Sequence, residues 1–154
     1  MRIQILTAAT LALGLAAPVA QAQGPEDVAN ARIGYYRLVG MEMGALSAMA
    51  KGEMPYDAEV AKVHAANLAA LKSYNAKGLY AAGTSNADLP GKTRAKPAIW
   101  EDMAGFQTKG AAFGEAITEL VAAAEQGEDA LKPAIGKLGG TCKACHDDYR
   151  ATDF

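Results

Sequence analysis

Apolar residues recur along this chain at spacings of three and four, and nowhere in strict alternation. That rhythm predicts helices and no strands. Four segments carry it. The first spans about Glu26 to Lys51. Pro25 stands at its start, acidic Glu26 and Asp27 suit the positive end of a helix, and Gly52 follows its last turn. The second spans about Asp57 to Asn75, with Asp57 as N-cap after Pro55. Its apolar positions Val60, Val63, Leu68 and Leu71 fit one face only loosely. The third begins near Pro97 and ends before Gly127, with Ile99, Met103, Phe106, Phe113, Ile117, Leu120 and Val121 at helical spacing. The fourth spans about Glu128 to Ala151, where Leu131, Ile135, Leu138, Cys142, Cys145 and Tyr149 form one stripe.

The links between the first and second segments, and between the third and fourth, are short, which makes antiparallel neighbours. Between the second and third lies a stretch from Ala76 to Lys96 whose Gly, Pro, Ser and Asn content predicts a loop. A loop of this length is expected to pack over something. The pattern predicts an all-α protein, an up-down-up-down antiparallel four-helix bundle.

Ahead of the first helix, Arg2 precedes an apolar run from Ile3 to Ala20 and then Ala20-Gln21-Ala22. A charged start, an apolar centre and a small-residue site are expected of a secretory signal peptide, residues 1–22, cleaved after Ala22. A membrane span fits less well, because Gly14 and Pro18 interrupt the run. The mature domain would be residues 23–154, leaving 132 of the 154 residues, enough for one modest core. Ala, Leu, Met, Glu and Lys dominate, in keeping with helices. The net charge of −2 becomes −3 once Arg2 leaves, and no block of Lys or Arg suggests nucleic acid.

The chain has two cysteines and two histidines, and three of these four lie in TCKACHDDYR: Cys142, Cys145 and His146. Export permits disulfides, but two cysteines so close would form a strained loop of little structural value. C-x-x-C-H is the attachment sequence for a c-type haem. On a helix these three side chains share a face, so two thiols can add to the haem vinyl groups while the imidazole binds iron from one side. A structural zinc site needs four ligands, and the other histidine, His64, has no Cys or His near it. A redox C-x-x-C expects a βαβ setting, which is absent. The motif comes late, so any sixth iron ligand must come from upstream.

The chain resembles the cytochromes c′, the class II c-type cytochromes. The likeness rests on the late CKACHDDYR motif, the first-helix segment ARIGYYRLVGMEMG, the turn KGEMPYDA and the helix opening KPAIWEDMAGF, and covers essentially the whole mature chain. It implies a four-helix bundle, usually a homodimer, in the bacterial periplasm. It also implies one covalent haem c with five-coordinate, high-spin iron, proximal ligand His146, and a distal face closed by the first helix. Arg150 would then lie beside the proximal imidazole, one turn on, with Tyr149 shaping the same side.

In that family an Arg of the first helix lies near the haem propionates, and the residue four later covers the distal face. Arg32 with Tyr36 and Arg37 with Met41 both fit. Five residues separate the pairs, about 140° around a helix, so both cannot face the iron. The spacing to Met43-Gly44 and Gly52-Glu53 resembles the family in the Arg32 register, which puts Arg32, Tyr36, Val39 and Met43 on the haem side. The pattern departs from the family at Ile33, where Gln is frequent. Trp100 and Phe106 are expected as haem-packing or core aromatics. Met41, Met43 and Met49 are expected to pack rather than ligate, and His64 to sit on the surface of the second helix.

The functional expectation is a periplasmic haem protein that shuttles single electrons through redox partner proteins or binds small gases such as NO and CO. The alternative is a six-coordinate, low-spin electron carrier with Met41 or Met43 on the iron. No acid–base pair beside the haem is legible, so an enzyme is not expected. A second face of the first helix, Met41, Gly44, Ala45 and Ala48, is a candidate for packing against a partner helix.

Overall fold

The computed structural model of the protein describes residues 23–154; the expected signal segment lies outside them. Its elements are α1 (Pro25–Lys51), α2 (Ala58–Ser73), a 3₁₀ helix (Ala76–Tyr80), α3 (Ala98–Glu101), α4 (Met103–Ala124) and α5 (Glu128–Tyr149). Among the described residues there is no strand beyond an isolated antiparallel bridge between Ala95 and Arg150. Helix α1 packs on α2 and α5, and α4 packs on the same two. Successive long helices are therefore neighbours, and the four close into a bundle.

The helix ends follow the local chemistry. Gly52 adopts φ 72°, the left-handed conformation that ends α1, and its N–H turns back to the carbonyls of Ala48 and Met49. The Asp57 carboxylate accepts from the N–H groups of Glu59 and Val60 at 2.9 and 3.0 Å, a cap worth about 1 kcal/mol. The second and fourth helices each stop two residues earlier than their spacing predicts, at Ser73 and Tyr149. Arg150 leaves α5 because its backbone is drawn into the bridge with Ala95.

The expected third helix is not continuous. It breaks at Asp102 (φ −127°, ψ 62°) into α3 and α4. Asp102 leaves the helix in order to cap it: its carboxylate accepts from the Gly105 N–H at 3.0 Å and from the Tyr149 hydroxyl at 2.8 Å. Those two bonds hold the Asp102 carboxyl below its usual range, the Gly105 bond more strongly, while burial and then the Asp102 bond push Tyr149 up to about 12. Position 105 must be glycine, because a Cβ there would run into the Asp102 carboxylate and the Tyr149 hydroxyl. One aspartate thus ties the α3–α4 joint to the end of α5.

The core holds Leu46 and Met49 of α1, Leu68 of α2, Ile117 and Leu120 of α4, and Leu131 and Leu138 of α5, all essentially sealed from water. On α2 the sequence expectation needs correcting. Its buried face is Ala61, Ala65 and Leu68, while Val60 and Val63 are 39% and 58% exposed. Alanines four apart let α2 approach its neighbours closely, and the valines face outward.

His64 also differs from expectation. It is not a free surface residue: its side chain is half-buried and its Nδ1 lies 2.6 Å from Glu42 Oε2 on α1. Asn67 donates to the same oxygen at 3.2 Å. The His64 bond is the main reason the Glu42 carboxyl is held below its usual range. A carboxyl depressed in the folded state stabilises the fold above its unfolded value, about 4.3, and loses that contribution as pH falls through the folded value. The urea midpoint should fall below about pH 4, and fall less in Glu42→Gln; an equal fall in both proteins would exclude this contribution.

Candidate functional site

The long connection packs against one end of the bundle, and Arg32 of α1 holds it there. The Arg32 side chain is buried. Its Nη1 donates to the Leu79 carbonyl at 2.8 Å and the Thr84 hydroxyl at 2.9 Å; its Nη2 donates to the Thr84 carbonyl at 2.6 Å and the Thr93 hydroxyl at 3.1 Å. The guanidinium also lies over the rings of Tyr80 and Trp100, at 5.5 and 5.8 Å. All four hydrogen-bond acceptors are neutral, so the buried cation has no counter-charge among them. Beyond Thr93, Lys96 N donates to the Tyr149 carbonyl and Ala151 N to the Arg94 carbonyl, at 3.0 and 2.8 Å. The connection is thereby stitched to the end of α5.

Between these parts opens a cavity of about 500 Å³. Helix α5 supplies one wall with Cys142, Cys145, His146 and Tyr149; α1 supplies the facing wall with Tyr36, Val39 and Met43. Phe106 and Phe113 of α4 line its depth. The Phe106 ring stands edge-on between Tyr80 and Tyr149, centroids 4.8 and 5.3 Å away. The charged side chains lining the cavity are Arg32, Arg37, Arg94, Lys109 and Arg150, with no Asp or Glu among the lining residues. Lys109 has an outside partner, Asp148, at 3.0 Å.

The two sulfurs form no disulfide with each other, and burial pushes both thiols above their ordinary pKa; for Cys145 the neighbouring Cys142 adds to this and Lys109 opposes it. Burial, and then the charge of Arg94, lowers the pKa of His146, against a smaller opposing effect of Asp147. A neutral imidazole is the form that ligates a metal. No group of three or more His, Cys, Asp or Glu that could hold a bare metal ion exists among the described residues.

Of the residues expected at the site, Cys142, Cys145, His146, Arg32, Tyr36, Val39, Met43, Phe106, Tyr149 and Arg150 all line this one cavity. Trp100 does not. Its Nε1 donates to the Tyr80 carbonyl at 3.1 Å, so it stands one layer behind, supporting Tyr80 and Arg32. Arg37 also lines the cavity, as an exposed residue, whereas Met41 is 66% exposed and outside it. The cation that lowers the His146 pKa is Arg94, and Arg150, expected beside the imidazole, lines the same cavity. Sequence reasoning missed Tyr80, Arg94, Lys109 and Phe113. Tyr80 is the sole aromatic residue between Ala76 and Lys96, and a long loop that keeps one large side chain is a usable signal.

The sequence profile of the cytochrome c′ family matches residues 27–150. The chain belongs to the cytochrome c′ family. It is 53% identical to a cytochrome c′ of Cereibacter sphaeroides over 150 residues, 97% of this chain and 98% of that protein. A solved cytochrome c′ from Rhodobacter sphaeroides superposes with a TM-score of 0.82 at 55% identity, covering 84% of this chain and 99% of that one. A carbon monoxide-bound variant of the Alcaligenes xylosoxidans cytochrome c′ superposes with a TM-score of 0.75 at 34% identity, covering 86% of this chain and all of that one. A nitric oxide complex of another variant of that protein is also similar.

Cytochromes c′ carry one covalent haem c and are electron-transfer or gas-binding proteins rather than enzymes. The residues here fit such a group. The cavity is apolar within and cationic at its edges, which suits a flat apolar macrocycle bearing two carboxylates. Arg32 is a buried cation in want of an anion. Cys142 and Cys145, the only cysteines in the chain, stand on one wall as the attachment sequence requires. When bound, the haem supplies one-electron chemistry and an axial position for a small ligand. No described helix is long and apolar enough to cross a membrane.

Proposed function

We propose that the mature protein, residues 23–154, is a periplasmic c-type cytochrome with five-coordinate, high-spin iron held by His146, and that it transfers single electrons to partner proteins and binds NO and CO. One observation carries this reading: the two walls of the cavity are chemically unlike. The α5 wall offers an imidazole. The α1 wall offers a phenol, Tyr36, and a thioether, Met43, and neither stands as a second nitrogen ligand.

The six-coordinate alternative needs a methionine over the iron. Met41 points out of the cavity. The Met43 Sδ lies 4.0 Å from the Cys142 Sγ, the sulfur that takes the edge of the haem, which favours packing at the periphery over ligation at the centre. The NO and CO complexes of the Alcaligenes relative lend support for gas binding. The absorption spectrum of the reduced protein with and without CO tests the reading. A high-spin spectrum that responds to CO supports it; a low-spin spectrum indifferent to CO overturns it. Tyr36 is 44% exposed and crowds the α1 side, so Tyr36→Ala should speed CO binding at least tenfold by flash photolysis.

The proposal extends to a homodimer. Leu38 and Met41 on α1 and Val60 and Val63 on α2 are exposed apolar residues of two adjacent helices. Gly44 is exposed beside them, and Ala45 and Ala48 are half-buried. Small residues there let a partner helix approach closely. Met41→Glu leaves the core untouched and should convert dimer to monomer in sedimentation velocity; an unchanged sedimentation coefficient would place any dimer elsewhere.

A further inference from the structure

We propose that Tyr80, on the long connection, is a positioning residue for the α1 side of the cavity: it tethers the Tyr36 ring and orients its hydroxyl as a donor toward an entering diatomic ligand. The inference rests on the open-site reading above and names what regulates that site.

The two hydroxyls lie 2.8 Å apart, and both residues line the cavity. The two sides of this bond differ in rigidity. Tyr36 is part-exposed, and its ring has one aromatic neighbour, Tyr35, edge-on at 5.1 Å. Tyr80 is braced from several directions. Its carbonyl accepts from Trp100 Nε1, and the carbonyl before it accepts from Arg32. Its ring is covered by Phe106 on one side and by the Arg32 guanidinium at 5.5 Å. The fixed phenol therefore sets the place of the looser one.

Two hydroxyls carry two protons, and the bond between them uses one. The Arg32 cation over the Tyr80 ring draws electron density from that phenol and makes its oxygen the poorer acceptor, which leaves it the donor of the pair. With Tyr80 donating to Tyr36, the Tyr36 proton is left without a protein partner on the cavity wall. Burial raises the pKa of Tyr80 well above its ordinary value, so this donor keeps its proton through the physiological range. A ligand that needs Tyr36 to swing aside must first break its bond to Tyr80, and a ligand that fits beside it receives the free O–H.

Tyr80→Phe keeps the ring, the Phe106 contact and the Arg32 stacking while deleting the hydroxyl. CO association should rise about fivefold, or about 1 kcal/mol at 1.36 kcal/mol per decade. The infrared C–O stretch should move up toward its value in Tyr36→Phe, and its sensitivity to D₂O should be lost. In a Tyr36→Phe background the second substitution should add nothing, since both delete one bond. Wild-type rate and stretch in Tyr80→Phe, or additive effects in the double variant, would overturn the inference alone. A wild-type protein blind to CO would overturn the open-site reading and this inference with it.

Discussion

Replacing Cys142 and Cys145 together with alanine leaves protein from which acidified organic solvent extracts the haem, and whose helical signal melts early or not cooperatively. The wild-type protein should retain its haem under the same extraction, because each thioether is a covalent bond. The effect on stability follows from the cavity. It measures about 500 Å³, and void volume in a protein costs roughly 24 cal/mol per Å³, or about 12 kcal/mol if it stayed dry and open. The cavity is partly open to water; even a third of that, about 4 kcal/mol, is a large share of the 5–15 kcal/mol that typically holds a domain together. The haem-free bundle therefore collapses its site or unfolds. Each single substitution leaves one tether and should give an intermediate result. Full haem retention in the double variant, with an unchanged melting curve, would refute the attachment.

Arg32→Met should lower the stability of the holoprotein by about 3 kcal/mol, the scale of leaving two or more buried acceptors without their donor. For a domain of this size that is a drop of roughly 10 °C in melting temperature. The substitution leaves the Leu79 and Thr84 carbonyls and the Thr84 and Thr93 hydroxyls without the donor they now share, and each unsatisfied buried group costs about 1–3 kcal/mol. Thr84 recovers part of this through its bond to the Ala81 carbonyl. Arg32→Lys should recover little, because one ammonium cannot reach what a planar fork spans. Loss of a cation beside the cavity should also lower the haem reduction potential, since positive charge favours the reduced form. A melting temperature within 2–3 °C of wild type, roughly 1 kcal/mol or less, would show that the connection holds without Arg32.

The two results separate what was legible from what was not. CKACH states its chemistry within five residues, because helical geometry alone puts Cys142, Cys145 and His146 on one face. The α5 stripe from Leu131 to Tyr149 was legible for the same reason, and its members are buried or half-buried as the period requires. The α1 register was legible from periodicity once the family spacing was recognised: Tyr36, Val39 and Met43 line the cavity and Met41 does not. Helix α2 was misread because its buried face is built from alanine, which carries too little hydrophobic contrast to mark a side. The break at Asp102 was not read because the apolar period runs straight through it, and one of the two bonds that stabilise it comes from Tyr149, 47 positions away.

The sequence by itself determined the helices, their order, the single attachment site and one wall of the cavity, since each depends on residues within a few turns of one another. The tertiary structure decided the rest. It set the burial of Arg32 among neutral acceptors, the removal of Trp100 to a second layer, and the meeting of Tyr36 with Tyr80 across 44 residues. These depend on a connection with no helical period to read, whose course is fixed by hydrogen bonds that close only when the bundle has formed.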